Sequence, residues 1–254
     1  KPDFVLIAIK PQQILSIKEN LKNLFDEKIV FLSIVAGLSS NWFKKNISSK
    51  IKIVRAMPNT PASVLKGVTG VFHSDNILEN EILIVKKILN SIGKVVFLKK
   101  ENLIDVVTSI SGSGPAYFFY LTEVLSKLGQ ELGLTEREAK IFASETFIGS
   151  AKLLESSFSH NDVLTLRKNV TSPGGTTEAA LKILTDQNFG IKKIIKKGVI
   201  AAISRAKELD GVWYIFLSMK LETLENKIAN CYISLLMKDK NVDFSLENIA
   251  LKSK

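Results

Sequence analysis

Cysteine is all but absent from this sequence. Cys231 is the only one, so no intrachain disulfide and no cysteine-based metal site are expected. Histidine is nearly as scarce. His73 and His160 stand far apart without partners at ligand spacing, and both read as surface or satisfied histidines. No apolar run reaches the roughly 18 residues of a membrane-spanning helix, and no signal peptide precedes the first strand pattern. The expectation is a cytoplasmic protein with no membrane partner. Basic patches interleaved with aromatics are also missing. The net charge of +10 therefore reads as a solvated lysine surface that draws in small anions, with no nucleic-acid partner.

What is present is globular: 46% hydrophobic and 24% charged residues over 254 positions, enough for one large domain or two ordinary ones. Phe4 to Ile9 is an apolar run of strand length, as expected of a strand covered on both faces. Lys10-Pro11-Gln12-Gln13 ends it, and Ile14, Ile17, Leu21 and Leu24 then recur at helical spacing. Ile29 to Val35 is a second strand closed by Ala36-Gly37, Ser39 or Ser40 caps a short helix, and Ile51 to Met57 is a third strand ending in Pro58-Asn59. This alternation argues for right-handed crossovers in a doubly wound sheet, whose ligands bind beyond the carboxyl ends of its strands. Three strand ends with small or backbone-exposing residues in matching positions favour a nucleotide crevice there. The G-x-G-x-x-G turn that opens such folds does not occur, so the pattern reads as the second half of a Rossmann domain.

Two more short strands, Gly67 to Ser74 and Val95 to Leu98, flank a helix with Gly93 placed as its C′ residue. Only helices follow Asn102. Gly114-Pro115 interrupts the segment from Ile104 to Leu132, marking a kink or a point of close approach. Thr135 and Glu138 form a capping box. Apolar residues lie on more than one face of these helices (Phe118, Phe119, Leu125), which suggests burial against a second subunit.

The densest chemistry lies in Ser172-Pro173-Gly174-Gly175-Thr176-Thr177. Ser172 suits an N-cap with Pro173 at the first helical position. The two glycines open the backbone to a ligand, and free N–H groups at a helix start favour a carboxylate or phosphate. Small hydroxyls beside them can donate to a substrate atom without filling the pocket.

Val5 to Gln12, Arg55 to Pro61, Ser111 to Tyr117 and Asn169 to Thr177 follow the order of the motifs of pyrroline-5-carboxylate reductase, and the chain resembles that family from its start to about Asp210. The resemblance implies a partial α/β Rossmann-like domain (1–100), its first βαβ unit missing, followed by an all-α dimerisation domain (101–210). Residues 211–254 read as an unrelated extension. It further implies reduction of 1-pyrroline-5-carboxylate to proline with NADPH or NADH, in a homodimer and higher oligomers of dimers. Carried over by motif, Ala8, Lys10, Pro11, Ala36, Pro58 and Asn59 line the cofactor. Ser172, Gly174, Gly175, Thr176 and Thr177 hold the substrate, with Thr177 as the catalytic hydroxyl.

Two other readings remain open. One is a related Rossmann-type dehydrogenase acting on another imine or on a 3-hydroxyacid; the hydroxyacid type would carry a lysine on the first long helix, yet none lies between Lys100 and Lys127. The chain as an inactive, merely dimerising helical module is the non-enzymatic alternative.

Overall fold

The computed structural model describes residues 2–157 and 163–212. His160, Cys231 and residues 213–254, which hold nearly all of the expected extension, lie outside them. Among the described residues five strands form one sheet in the order β1 (Phe4–Ile7), β2 (Val30–Ser33), β3 (Lys52–Met57), β4 (Gly67–His73) and β5 (Gly93–Phe97). The first three run parallel with Ile7, Ser33 and Arg55 level with one another. β4 then turns antiparallel to β3, and β5 runs parallel to β4. That reversal is invisible in the apolar pattern, which carries no strand direction.

The reversal decides where the helices lie. A right-handed crossover keeps its helix on one face while parallel strands advance in one direction, and shifts it to the other face once the strands point the opposite way. Accordingly α1 (Lys18–Leu24) and α2 (Ser40–Asn46) cover one face, packing Leu21 and Phe43 against Val5, Ile7, Phe31 and Ile53. α3 (Glu79–Asn90), which joins β4 to β5, covers the other face with Val85, Ile88 and Leu89 against Val30, Leu32, Val54 and Val71. Alternate residues of each strand feed the two cores, as the period of two requires.

Several expectations shift in detail. The helix foreseen from Ile14 starts only at Lys18. A 3-10 turn over Pro11–Gln13 comes first, and Ile14 is buried just after it. Ser39 is the cap of α2, its hydroxyl accepting from the Trp42 N–H at 3.3 Å. Gly93 does not serve as the C′ residue of α3, whose C-cap is Ser91. It opens β5 opposite Gly67 with φ at +144°, where a Cβ would fall on the Gly67 carbonyl oxygen.

The helical segment after the sheet is broken as Gly114-Pro115 suggested, by a kink. Helix α4 (Leu103–Val107) passes into a π-helical turn over Thr108–Gly112, in which the Ser113 N–H reaches back five residues to the Thr108 carbonyl at 2.8 Å. α5 (Gly114–Glu131) starts beyond it. Among the described residues nothing lies within 4 Å of a Cβ placed on Gly114.

Two compact units result: one runs to Pro115 and includes the described residues from Ala201, the other is Ala116–Ile200. The second contains most of α5, α6 (Glu136–Ser157), α7 (Val163–Asn169), α8 (Thr176–Leu184) and the first turns of α9 (Ile191–Val212). The expected capping box starts α6, with the Thr135 N–H and hydroxyl donating to Glu138 Oε2 at 2.9 and 2.7 Å. These bonds hold the Glu138 carboxyl below its usual range. Phe118 stacks on Phe147 between α5 and α6 at 5.6 Å. Among the described apolar side chains of this unit only Ala139 and Ala143 are buried, while Phe119 is 63% and Leu132 86% exposed.

Gly93→Ala should cost more than about 2 kcal/mol, since overpacking against backbone adds to an unfavourable φ. Urea unfolding should show a lower midpoint at unchanged slope; an unaltered midpoint would contradict the tight Gly67–Gly93 pairing.

Candidate functional site

Because β1, β2 and β3 are parallel and in register, the residues that follow them gather at one edge of the sheet. Ala8, Lys10 and Pro11 follow β1, Ala36 follows β2, and Pro58 and Asn59 follow β3. The ladder continues briefly past the strands, the Ile34 N–H donating to the Ile7 carbonyl at 3.0 Å. Lys10 anchors its own turn, its N–H donating to Gln13 Oε1 at 3.1 Å. Ala8, Ala36 and Gly37 give the edge short side chains, with Gly37 in the left-handed region at φ +68° leading into α2. A flat, phosphate-bearing dinucleotide suits such an edge, because short side chains let it approach the main chain.

Two polar clasps hold this edge. The first starts from proline chemistry. Pro115 has no N–H to give the carbonyl four residues back, that of Ser111. Asn59 supplies it instead, donating from Nδ2 to the Ser111 oxygen at 3.2 Å. Its Oδ1 accepts from the Val68 N–H at 2.9 Å. The buried Asn59 amide thus joins the loop after β3, the start of β4 and the π-helical turn. Its side chain is engaged on both ends by backbone.

The second clasp was not foreseen. Arg55 is 6% exposed on β3 and donates from Nη1 to Glu101 Oε1 at 2.8 Å. The same carboxylate accepts from the Ser40 N–H and hydroxyl, both at 2.5 Å, at the start of α2. Burial alone would push the Glu101 carboxyl up, but the Ser40 bonds and then the Arg55 guanidinium hold it below its usual range. The signal in the sequence was an arginine within an otherwise apolar buried strand, since such a charge demands a partner.

The helical unit carries the other expected group. Here Ser172 is not an N-cap and Pro173 not a first helical residue. The Gly175 N–H closes a turn on the Ser172 carbonyl at 3.0 Å, and Gly174 takes φ +71°, incompatible with a helix. The cap of α8 is Gly175, so Thr176 and Thr177 are its first two residues. The anion-receiving N–H groups therefore move along the chain, to the threonines. Beside them an open groove of about 710 Å³ runs between α7 and α8, lined by Arg167, Lys168, Thr171, Gly174, Glu178 and Lys182. Its three cations favour a small carboxylate.

His73 takes no part in either group. Its Nδ1 lies 3.1 Å from the Ser74 carbonyl and its ring stands edge-on to Phe97, so it is a satisfied histidine. Among the described residues no cluster of His, Cys, Asp or Glu fits a metal ion, and no helix is long and apolar enough to cross a membrane.

The sheet and its ligand edge define a Rossmann-like protein joined to a helical unit with apolar outer faces. Comparison with known proteins narrows this. Residues 101–209 match the family model for pyrroline-5-carboxylate reductase dimerisation. The pyrroline-5-carboxylate reductase of Haemophilus influenzae is 36% identical over 214 residues, covering 84% of this chain and 78% of that protein. The solved pyrroline-5-carboxylate reductase of Coxiella burnetii superposes with a TM-score of 0.75 at 37% identity, over 82% of this chain and 76% of the other. That of Plasmodium falciparum, crystallised with NADP bound, gives 0.71 at 31% identity, over 82% and 77%. The chain belongs to the pyrroline-5-carboxylate reductase family, and its helical region is the dimerisation domain of that family.

Two outcomes test the clasps. Glu101 has a folded-state pKa below its unfolded value, so its stabilisation is present above about pH 4.3 and is lost as pH falls through the folded-state pKa. Urea midpoints of the wild type should therefore drop more steeply between pH 5 and pH 3 than those of Glu101→Gln; parallel slopes would refute the assignment. Asn59→Ala leaves the Val68 N–H and the Ser111 carbonyl without their partner and should cost about 1–3 kcal/mol, read as a lowered thermal midpoint.

Proposed function

We propose that this chain reduces 1-pyrroline-5-carboxylate to L-proline, the last step of proline biosynthesis, with hydride supplied by NADPH or NADH. The observation that carries the site assignment is the Ser172–Thr177 turn, which makes Thr176 and Thr177 the first residues of α8 and whose Gly174 and Gly175 line a groove together with Arg167, Lys168 and Lys182. The substrate carboxylate rests on the N–H groups of these threonines, where the helix start favours negative charge. The Thr177 hydroxyl hydrogen-bonds the ring nitrogen, orienting the C=N bond and stabilising the amine that forms. A protonated imine is already electrophilic, so no strong base is required. This fits a turn built from Ser, Thr and Gly.

Ala8, Lys10, Pro11, Ala36 and Pro58 hold the cofactor at the carboxyl edge of β1–β3, with Asn59 fixing the loop after β3. NADPH or NADH supplies the hydride when bound there, and positioning it against the imine is the protein's main task. The exposed apolar faces of α5 and α6 are those that a homodimer covers, with higher oligomers formed from dimers, and the enzyme works in the cytoplasm.

The test is oxidation of NADPH and of NADH by the purified chain on addition of 1-pyrroline-5-carboxylate. Thr177→Ala should lower kcat/KM by more than about tenfold, as for a hydrogen bond that strengthens in the transition state. An unchanged value would remove Thr177 from the chemistry.

A further inference from the structure

Glu178, the third residue of α8, does something the motif does not require. Its Oε2 accepts from the Gly174 N–H at 2.7 Å, reaching back across the turn that holds the substrate. A capping box would return that side chain to the N-cap, Gly175; here it goes one residue further. Gly174 is the residue with φ +71°, and the Gly175 N–H is already given to the Ser172 carbonyl. Two consecutive N–H groups of the turn are therefore occupied by the protein itself. The N–H groups of Thr176, Thr177 and Glu178 are those that the start of α8 leaves without an intrahelical acceptor.

We propose that Glu178 is a positioning residue for the substrate: its carboxylate pins Gly174 to α8 and so fixes the edge on which Thr176 and Thr177 receive the substrate carboxylate. The proposal rests on the substrate site assigned above. It makes the Gly174 N–H unavailable to substrate and gives Glu178 no contact with the reacting atoms. Loosening the turn frees a left-handed glycine to sample many backbone states, and binding must then order them again. The loss therefore falls on substrate binding, and cofactor binding is untouched.

The experiment compares Glu178→Ala, Glu178→Gln and wild type by calorimetric titration of the full chain with L-proline, and by KM for 1-pyrroline-5-carboxylate and for NADPH. The Ala variant should weaken proline binding and raise the KM for 1-pyrroline-5-carboxylate by about fivefold or more, with the KM for NADPH unchanged. The Gln variant, whose amide oxygen can accept the same N–H, should restore most of the difference. Circular dichroism and the thermal midpoint check that the variants fold. Proline affinity in Glu178→Ala equal to or tighter than wild type overturns the role of Glu178 alone; tighter binding would make the carboxylate a competitor of the substrate. A Gln variant as weak as Ala overturns the pinning hydrogen bond in favour of charge. Wild type that neither binds proline nor turns over 1-pyrroline-5-carboxylate overturns the substrate site itself, and the positioning role with it.

Discussion

One carboxylate, that of Glu101, holds together three segments that lie far apart in the chain. It takes a guanidinium from β3 and two donors from the start of α2, and it stands just ahead of α4. Each of these partners would be costly to bury alone. Arg55 is almost wholly buried, and an unpaired cation there would destabilise the strand that leads to Pro58 and Asn59. The pair is therefore less a source of stability than a specification. It fixes which part of the later chain comes to rest beside the ends of β2 and β3. The Asn59 amide repeats this arrangement a few residues on, joining the same strand to the π-helical turn. The ligand edge of the sheet is thus held from behind by groups that need not touch a ligand.

Much of the sheet was legible because its strands are apolar on both faces and punctuated by glycine and proline. Val30 to Ser33, all four buried, could hardly be anything else. The direction of β4 was not legible, since neither Gly67 nor Val71 carries a sign of which way its strand runs. The conformation of the SPGG turn departs from what its local preferences imply. A serine before a proline is a good cap by local preference. Two glycines following it allowed a left-handed residue to postpone the helix to Thr176. The partnership of Arg55, Ser40 and Glu101 spans dozens of residues, which no local pattern records. Glu178 gives no signal for the opposite reason, being an ordinary acidic residue in a helix's first turn.

The two units differ in how they satisfy their apolar residues. The sheet buries large side chains such as Phe31, Phe43 and Leu89 between its own layers, while the helices from Ala116 to Ile200 leave Phe119, Phe142 and Leu153 largely in solvent. A dimerisation domain solves the latter problem by association, and the family match over residues 101–209 identifies the region as one.

A helical unit, Ala116–Ile200, in which Ala139 and Ala143 are the only buried apolar side chains among the described residues, ties its folding to mass action. Its midpoint of unfolding becomes a function of how much protein is in the tube, rising with concentration and falling on dilution, whereas that of the sheet does not. Dilution is then a denaturant acting on the helical unit alone.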